Sequence, residues 1–237
     1  MINYSFIKSL LRSEGGTPLS EETLDKFLAL GEHVKLSSGK YIIGPGEVNK
    51  SLWITESGVT KAVYFDGKKE IVLGFSGPGT ITISPLSFTL GKPAFVAFQT
   101  ITECDMLRIR KSDFDKLMTE SHEFACWMVG ILISQFTALE LKSQMLSEAD
   151  IKSNYLQLVK RQMKLDKDGF DPNRPSLLSI VSSKDIASYL GITQSYLSNI
   201  RKAILDEERD MSSSQSKTRH KSLRHEEETE VKANNTD

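Results

Sequence analysis

The spacing of apolar positions changes character along the chain. Residues 1–36 read as helical. Thr17-Pro18-Leu19-Ser20-Glu21-Glu22 puts polar and acidic residues at a helix start, and Leu24, Phe27, Leu28 and Leu30 follow as a stripe at spacings near three and four. From residue 37 to 110 the pattern breaks into short runs: Tyr41–Ile43, Leu52–Thr55, Val59–Phe65, Ile71–Phe75, Thr80–Ile83, Phe95–Thr100 and Met106–Ile109. Nine of the 15 glycines and four of the 7 prolines lie between Gly39 and Pro93 and separate these runs. Asp66-Gly67 between two β-rich runs predicts a hairpin. Many short strands with no helix between them predict an antiparallel roll, barrel or sandwich rather than parallel βαβ units.

Helical spacing returns at residues 112–146. Ser112-Asp113 is placed to cap a short helix running through Met118, and a long helix follows from about Ser121. Along it Phe124, Trp127, Ile131, Ser134, Ala138, Leu141 and Met145 alternate in steps of three and four, a seam of about three heptads. Met128, Leu132, Leu139 and Leu146 add a second stripe. A helix apolar on two faces needs two partners, its own β-roll and the same helix of a second copy. A core helix buried within one chain is the alternative. Residues 148–205 predict an all-helical module with a turn at Asp171–Pro175. From Asp206 large apolar residues nearly vanish, so residues 206–237 are expected to be a disordered tail.

Composition narrows the class. The chain has 237 residues, 39% hydrophobic and 26% charged, which fits a soluble globular protein and excludes wholesale disorder. The longest uninterrupted apolar run lies around Cys126–Ile133 with a glycine inside it. A spanning helix needs about 20 such residues, so no membrane segment is expected. MINYSFIKSLLRSEGG lacks a basic head, a long apolar centre and a cleavage site, so no signal peptide and a cytoplasmic location are expected. Cys104 and Cys126 form no CxxC and no Cys/His cluster, which excludes a disulfide framework and a Cys-only metal centre within one chain. HExxH, Walker A and GxSxG are absent, so the chain is not expected to be an enzyme.

The net charge of −1 hides an uneven distribution. Residues 1–147 carry net −1, residues 148–205 net +3 and residues 206–237 net −3. The basic segment gains meaning from Ser183–Ile204, SKDIASYLGITQSYLSNIRKAI. Ser182 with Asp185 resembles a capping box. Ile186 and Leu190 share a face, Ala187 is small enough for a close helix crossing, and Gly191 can adopt the positive φ of a tight turn. Ile192 follows the turn, Thr193 can cap a second helix, and Leu197 and Ile200 face inward from it. These are the positions a helix-turn-helix constrains. The second helix then presents Gln194, Ser195, Tyr196, Ser198, Asn199, Arg201 and Lys202. Gln and Asn can bond adenine in the major groove, and Arg and Lys can reach phosphates or guanine. Ser183 and Thr193 stand at the two helix starts as further DNA-binding candidates. Phosphate attraction makes the +3 segment relevant to affinity.

Residues 20–205 resemble the Crp/Fnr family of bacterial transcription regulators. Ser38-Gly39-Lys40-Tyr41-Ile42-Ile43-Gly44-Pro45-Gly46 is similar to the family's first strand and turn. Leu52–Val59 is similar to its strand ending in Ser-Gly, and Gly77-Pro78-Gly79 to the turn before its ligand cassette. Asp185–Thr193 with Leu197-Ser198 is similar to its DNA-binding signature. The resemblance implies an α+β chain. A cyclic-nucleotide-binding-like antiparallel β-roll flanked by helices occupies residues 1–120, and a dimerisation helix residues 121–147. A winged helix-turn-helix occupies residues 148–205. The seam residues Phe124, Trp127, Ile131, Ala138, Leu141 and Met145 then belong to a homodimer interface. Double-stranded DNA, a second copy and RNA polymerase are the implied partners.

The departures from the family bear on mechanism. Members that bind cyclic AMP carry Gly-Glu after the Pro-Gly turn; Ile83-Ser84 stand here. Their phosphate-pairing Arg falls near Ala94-Phe95. A phosphate without its Arg loses a charge-assisted bidentate partner, so no ordinary cyclic nucleotide and no other named cofactor is expected. The pocket is ligand-free, or takes another small effector near Gly79, Thr82, Ile83, Ser84 and Phe95. Haem-sensing relatives use axial His or Cys, for which His33, His122 and Cys104 are weak candidates. On the recognition helix, Arg often stands where Asn199 is and Arg-Glu where Gln194-Ser195 are, so a different operator, richer in A·T, is expected. The competing reading is a small-molecule-sensing or interaction module whose helix-turn-helix is only structural.

Overall fold

The computed structural model describes residues 7–9, 11, 19–147, 150–167, 177–207 and 209. Among the described residues, eight strands form two four-stranded antiparallel sheets. β1 (Glu32–Leu36), β8 (Cys104–Arg110), β3 (Ser51–Ser57) and β6 (Ile81–Thr82) lie in that order in one. β2 (Tyr41–Ile43), β7 (Val96–Thr100), β4 (Thr60–Asp66) and β5 (Lys69–Ser76) form the other. The predicted hairpin is present, with Asp66 opposite Lys69. All seven short runs read from the sequence become strands, because each is rich in β-branched and aromatic residues and bounded by turn formers.

Alternation along β3 and β8 separates two cores. Trp53, Cys104 and Met106 join Ile42, Ile43 and Ala94 between the sheets. Leu52, Ile54, Leu107 and Ile109 point the other way, into a core roofed by helices. Gly58 lies in the turn from β3 to β4 at φ 92°, and a Cβ there would stand 2.4 Å from the Glu103 carbonyl and 2.5 Å from the Cys104 sulfur, so no larger residue fits.

Among the described residues the helices include α1 (Glu21–Ala29), α2 (Pro85–Leu90), α3 (Lys111–Glu120), α4 (His122–Ser147), α5 (Ile151–Lys167), α6 (Leu177–Ile180) and α7 (Ser183–Tyr189), followed by a helix over residues 194–207, here α8. Phe27 of α1 meets Phe124 and Trp127 of α4 at 4.8 and 5.8 Å between ring centroids, and Phe114 of α3 bridges Phe124 and Phe88. The Glu123 carboxylate accepts bonds from the Ser20 amide, the Ser20 hydroxyl and the Thr23 hydroxyl at 2.6–2.8 Å, tying the start of α1 to α4. Those bonds, from Thr23 first and then Ser20, hold Glu123 below the usual carboxylate range.

Four expectations change. Residues 32–36 form strand β1, not helix, because EHVKL alternates and pairs in register with β8. A helix, α2, interrupts the strand series; Pro85 sits in its first turn, where a missing N–H costs nothing. α3 starts at Lys111 with Arg110 as its N-cap and no side-chain cap bond, so Ser112-Asp113 lie inside the helix. By length and composition, residues 122–144 of α4 are apolar enough to cross a membrane, although polar residues and a glycine interrupt their apolar runs. Phe124, Trp127, Met128 and Ile131 from this same stretch nevertheless lie in the helix-roofed core.

The chain divides into two compact units, residues 1–191 and 192–237. The division falls at the turn of the predicted helix-turn-helix. Among the described residues no strand follows β8, so no wing is seen. The Asp171–Pro175 turn lies outside the described residues. So does the tail except residues 206, 207 and 209, of which 206 and 207 continue α8 rather than begin a disordered segment.

Candidate functional site

The segment predicted to be a helix-turn-helix carries the local features its sequence requires. Ser182 caps α7, its hydroxyl accepting from the Asp185 amide at 3.0 Å. The Asp185 carboxylate takes a different course from a capping box: it bonds the Lys61 ammonium at 3.1 Å. Gly191 has φ 70°, where a Cβ would be strained. Ile186, Ala187 and Leu190 are buried. In the second unit Thr193 caps α8, its hydroxyl accepting from the Tyr196 amide at 3.2 Å and its carbonyl from the Leu197 amide at 3.0 Å. Leu197 and Ile200 are buried, and Ile192 is half-buried. Gln194, Ser195, Tyr196, Ser198, Asn199 and Lys202 are exposed, and Arg201 is half-buried. Ser183 is exposed in the first turn of α7. α8 therefore offers amide, hydroxyl and cationic groups along one solvent-facing side, while its apolar side is covered.

The predicted effector residues do not share one environment. Thr82 and Ser84 are buried, Gly79 is buried, and Ile83 packs on the helix-roofed core. Phe95 points outward, 62% exposed. The polar groups here serve one another. The Ser84 amide donates to Asn49 Oδ1 at 3.0 Å, the Asn49 amide donates to Ser87 Oγ at 2.8 Å, and Asn49 Nδ2 donates to the Ser51 carbonyl at 2.7 Å. An amide already bonded by Asn49 is not available to a phosphate. The cation this region does present is Arg108 of β8, missed from the sequence because it sits in an ordinary strand. Arg108 lies across from Trp53, itself across from Thr82, with its guanidinium 5.8 Å from the Trp53 ring. Its Nη2 donates to Glu32 at 2.6 Å. The Thr55 and Thr60 hydroxyls are buried with no hydrogen-bond partner among the described residues.

The haem-ligand candidates do not assemble either. His33 bonds Asp105 at 3.1 Å, His122 lies 3.4 Å from the Cys126 sulfur, and Cys104 is buried, which pushes its thiol up. Among the described residues no group of three or more His, Cys, Asp and Glu is placed to hold a metal ion.

The two faces of α4 are distributed differently from the predicted seam. Phe124, Trp127 and Ile131 are buried in the chain's own core. Ala138 is half-buried and Leu141 exposed, while the Met145 side chain lies outside the described set. The exposed apolar stripe is Val129, Leu132, Ile133, Phe136 and Leu139, with Ile133 and Phe136 61% and 62% exposed. Val129, Ile133 and Phe136 keep seam spacing two residues ahead of Trp127, Ile131 and Ser134. A two-faced helix was legible, but its richest apolar stripe faces inward.

Residues 33–121 match the family described as the cyclic nucleotide-binding domain. No curated protein sequence matches the chain. Its antiparallel sheets and helices share the fold of solved Crp/Fnr regulators. CLP of Xanthomonas campestris, described as a c-di-GMP-responsive global regulator, has a TM-score of 0.62 and 19% identity over 79% of this chain and 93% of that one. FixK2 of Bradyrhizobium japonicum has a TM-score of 0.63 and 14% identity, covering 75% and 85%. A CooA mutant of Carboxydothermus hydrogenoformans has a TM-score of 0.58 and 17% identity, covering 80% and 87%.

Proposed function

We propose that this chain is a homodimeric, cytoplasmic, sequence-specific DNA-binding transcription regulator of Crp/Fnr type that acts by binding, not catalysis. The observation that carries the reading is α8: capped by Thr193, entered from a Gly191 turn, buried on its Leu197–Ile200 side and exposed along Gln194, Ser195, Ser198, Asn199 and Lys202. Such a helix fits a major groove, with Gln194 and Asn199 suited to adenine and Arg201 and Lys202 to phosphate or guanine. The fold shared with regulators supports the same reading.

The exposed Val129–Ile133–Phe136 stripe favours a second copy as the cover for α4, since an apolar stripe of this size facing water is unfavourable. Two modules then meet half-sites about 34 Å apart on a near-palindrome. In the sensor, Ile83-Ser84, the Asn49 bonds and the outward Phe95 argue against ordinary cyclic nucleotide binding. The pocket works unliganded or with another small effector, and RNA polymerase is the further partner such a regulator meets.

Selection of duplexes by the purified chain from a random library tests this. The expected product is an A·T-rich near-palindrome bound with strong salt dependence. Recovery of no preferred sequence would remove the reading. A G·A-containing half-site like that of cyclic-AMP regulators would remove the operator assignment.

A further inference from the structure

The lysines of this chain keep two kinds of company. Lys8, Lys26, Lys35, Lys61, Lys111 and Lys116 each pair with a carboxylate. Lys142 of α4 does not. Half-buried, it donates to the Leu73 carbonyl of β5 and stands 3.9 Å from the centre of the Tyr189 ring of α7, and among the described residues no carboxylate pairs with it. The Tyr189 ring is buried and meets Phe75 of β5 at 5.5 Å. Beside this contact the Val72 amide of β5 donates to Ser188 Oγ of α7 at 3.0 Å. All of these groups lie within the first compact unit, residues 1–191.

Lys61 of β4 supplies the contrast. It bonds Glu70 of β5 at 2.5 Å and Asp185 of α7 at 3.1 Å. Burial pulls its ammonium down, but those bonds outweigh burial and hold it above the ordinary lysine value. The same two carboxylates are the acidic groups that β5 and α7 bring to this contact, and Lys61 engages both. Lys142 has therefore lost water without gaining an opposite charge. Burial pulls it down to about 8. At pH 7.5 roughly a quarter of such an amine is unprotonated, against roughly a thousandth of an ordinary lysine. A less basic amine is a weaker nucleophile, which trims this advantage without removing it.

We propose that Lys142 is an acylation site: its amine takes an acyl group from a small activated donor, an acyl phosphate or a thioester, and the product loosens α7 from β5. A desolvated lysine beside an aromatic ring is an activated nucleophile. The nitrogen lone pair attacks the donor carbonyl carbon. A C–N bond forms as the C–O bond to phosphate or the C–S bond to thiolate breaks, and the nitrogen gives one proton to the leaving group. The amide product carries no charge, so it loses its attraction to the Tyr189 ring, and its added carbons crowd that ring. The inference stands apart from the DNA-binding reading.

The full chain, incubated with acetyl phosphate in one arm and acetyl-coenzyme A in another, is mapped by mass spectrometry. At pH 7.5 Lys142 should be acetylated about tenfold faster than the exposed Lys68 and Lys92, and Lys61 slowest. The preference in either arm supports the site and identifies the donor. It should vanish in guanidinium chloride, where the fold no longer desolvates the amine. The rate at Lys142 should level off above about pH 9, while those at Lys68 and Lys92 continue to rise. Chain acetylated at Lys142 should exchange the Val72 amide about threefold faster or more, and Lys142→Arg, which keeps the charge and cannot be acetylated, should lose that response. Acetylation of Lys142 no faster than of Lys68 and Lys92 in both arms would overturn the site, as would a rate at Lys142 that keeps rising with theirs. Unchanged Val72 exchange after acetylation would overturn the loosening.

Discussion

Around residues 82–87 and along residues 194–202 the chain uses similar side chains, Ser, Thr, Asn and Gln, to opposite ends. Around α2 they turn inward: Asn49 and Ser87 bond the backbone, and Ser84 and Thr82 are buried. On α8 the same kinds of group are exposed along a helix whose cap and buried side are already satisfied. A buried polar group must be paired within the protein, whereas an exposed one exchanges water for a ligand at modest cost. Polar side chains can therefore hold a fold together where they are buried, and a polar face stays open to a ligand only where capping and burial are handled by other residues. α4 repeats the contrast within a single helix, with Trp127 and Ile131 inside and Ile133 and Phe136 outside.

The largest test of that contrast lies in α4. Ile131→Glu puts a charge into the core and should unfold or destabilise the chain by about 4 kcal/mol or more. Phe136→Glu should leave the melting curve nearly unchanged and convert dimers to monomers in light scattering. If Phe136→Glu remains a dimer, the interface lies elsewhere.

On the reading face, Gln194→Ala with Asn199→Ala should weaken operator binding by about 1–3 kcal/mol per base pair no longer read, with unchanged circular dichroism. Equal specific affinity would contradict the assigned face. In the sensor, Asn49→Ala leaves the Ser84 amide buried without its acceptor and should cost about 1–3 kcal/mol in urea unfolding. Calorimetry with cyclic AMP should still show no heat. Heat gained on that substitution would mean that Asn49 alone had been occupying a working phosphate site.

The smallest effects are pH-dependent. Lys142 has a folded value of about 8 against an ordinary 10.5, so the unfolded chain binds more protons between those values, and stability rises with pH there on this group's account. Lys61 runs the other way: it is raised, so its contribution persists through that window and is lost only as pH climbs through its folded value. Melting temperatures at pH 7.5 and 9.5 should show a gain in the wild type that Lys142→Met lacks. Glu123 is lowered, so its bonds to Ser20 and Thr23 contribute above the ordinary glutamate value and are lost as pH falls through its folded value. Glu123→Gln should flatten the acid limb of a urea series.

Seven strands and the long helix were legible because each is a local pattern, an apolar run between turn formers or a sustained helical period. β1 was not, since EHVKL shows only Val34 and Leu36 as apolar and becomes a strand by pairing with β8, some 70 residues away. α2 is six residues between a Ser and a Gly, too short for periodicity to register. Phe124, Trp127 and Ile131 of the expected seam lie in the chain's own core, because the most apolar stripe of a two-faced helix is the one a fold buries. Ser182, Gly191, Thr193 and the polar run behind them could be read because caps and turns act within three or four residues. The Lys61–Glu70–Asp185 triad could not, as nothing local marks Lys61 as a partner for Asp185.

The most direct measurement is an anisotropy titration of the full chain against its selected duplex, with and without cyclic AMP. The account predicts saturable, salt-sensitive, sequence-specific binding that is the same in both conditions. Binding that appears only with cyclic AMP, or no preference for the selected duplex over a scrambled one, would contradict it.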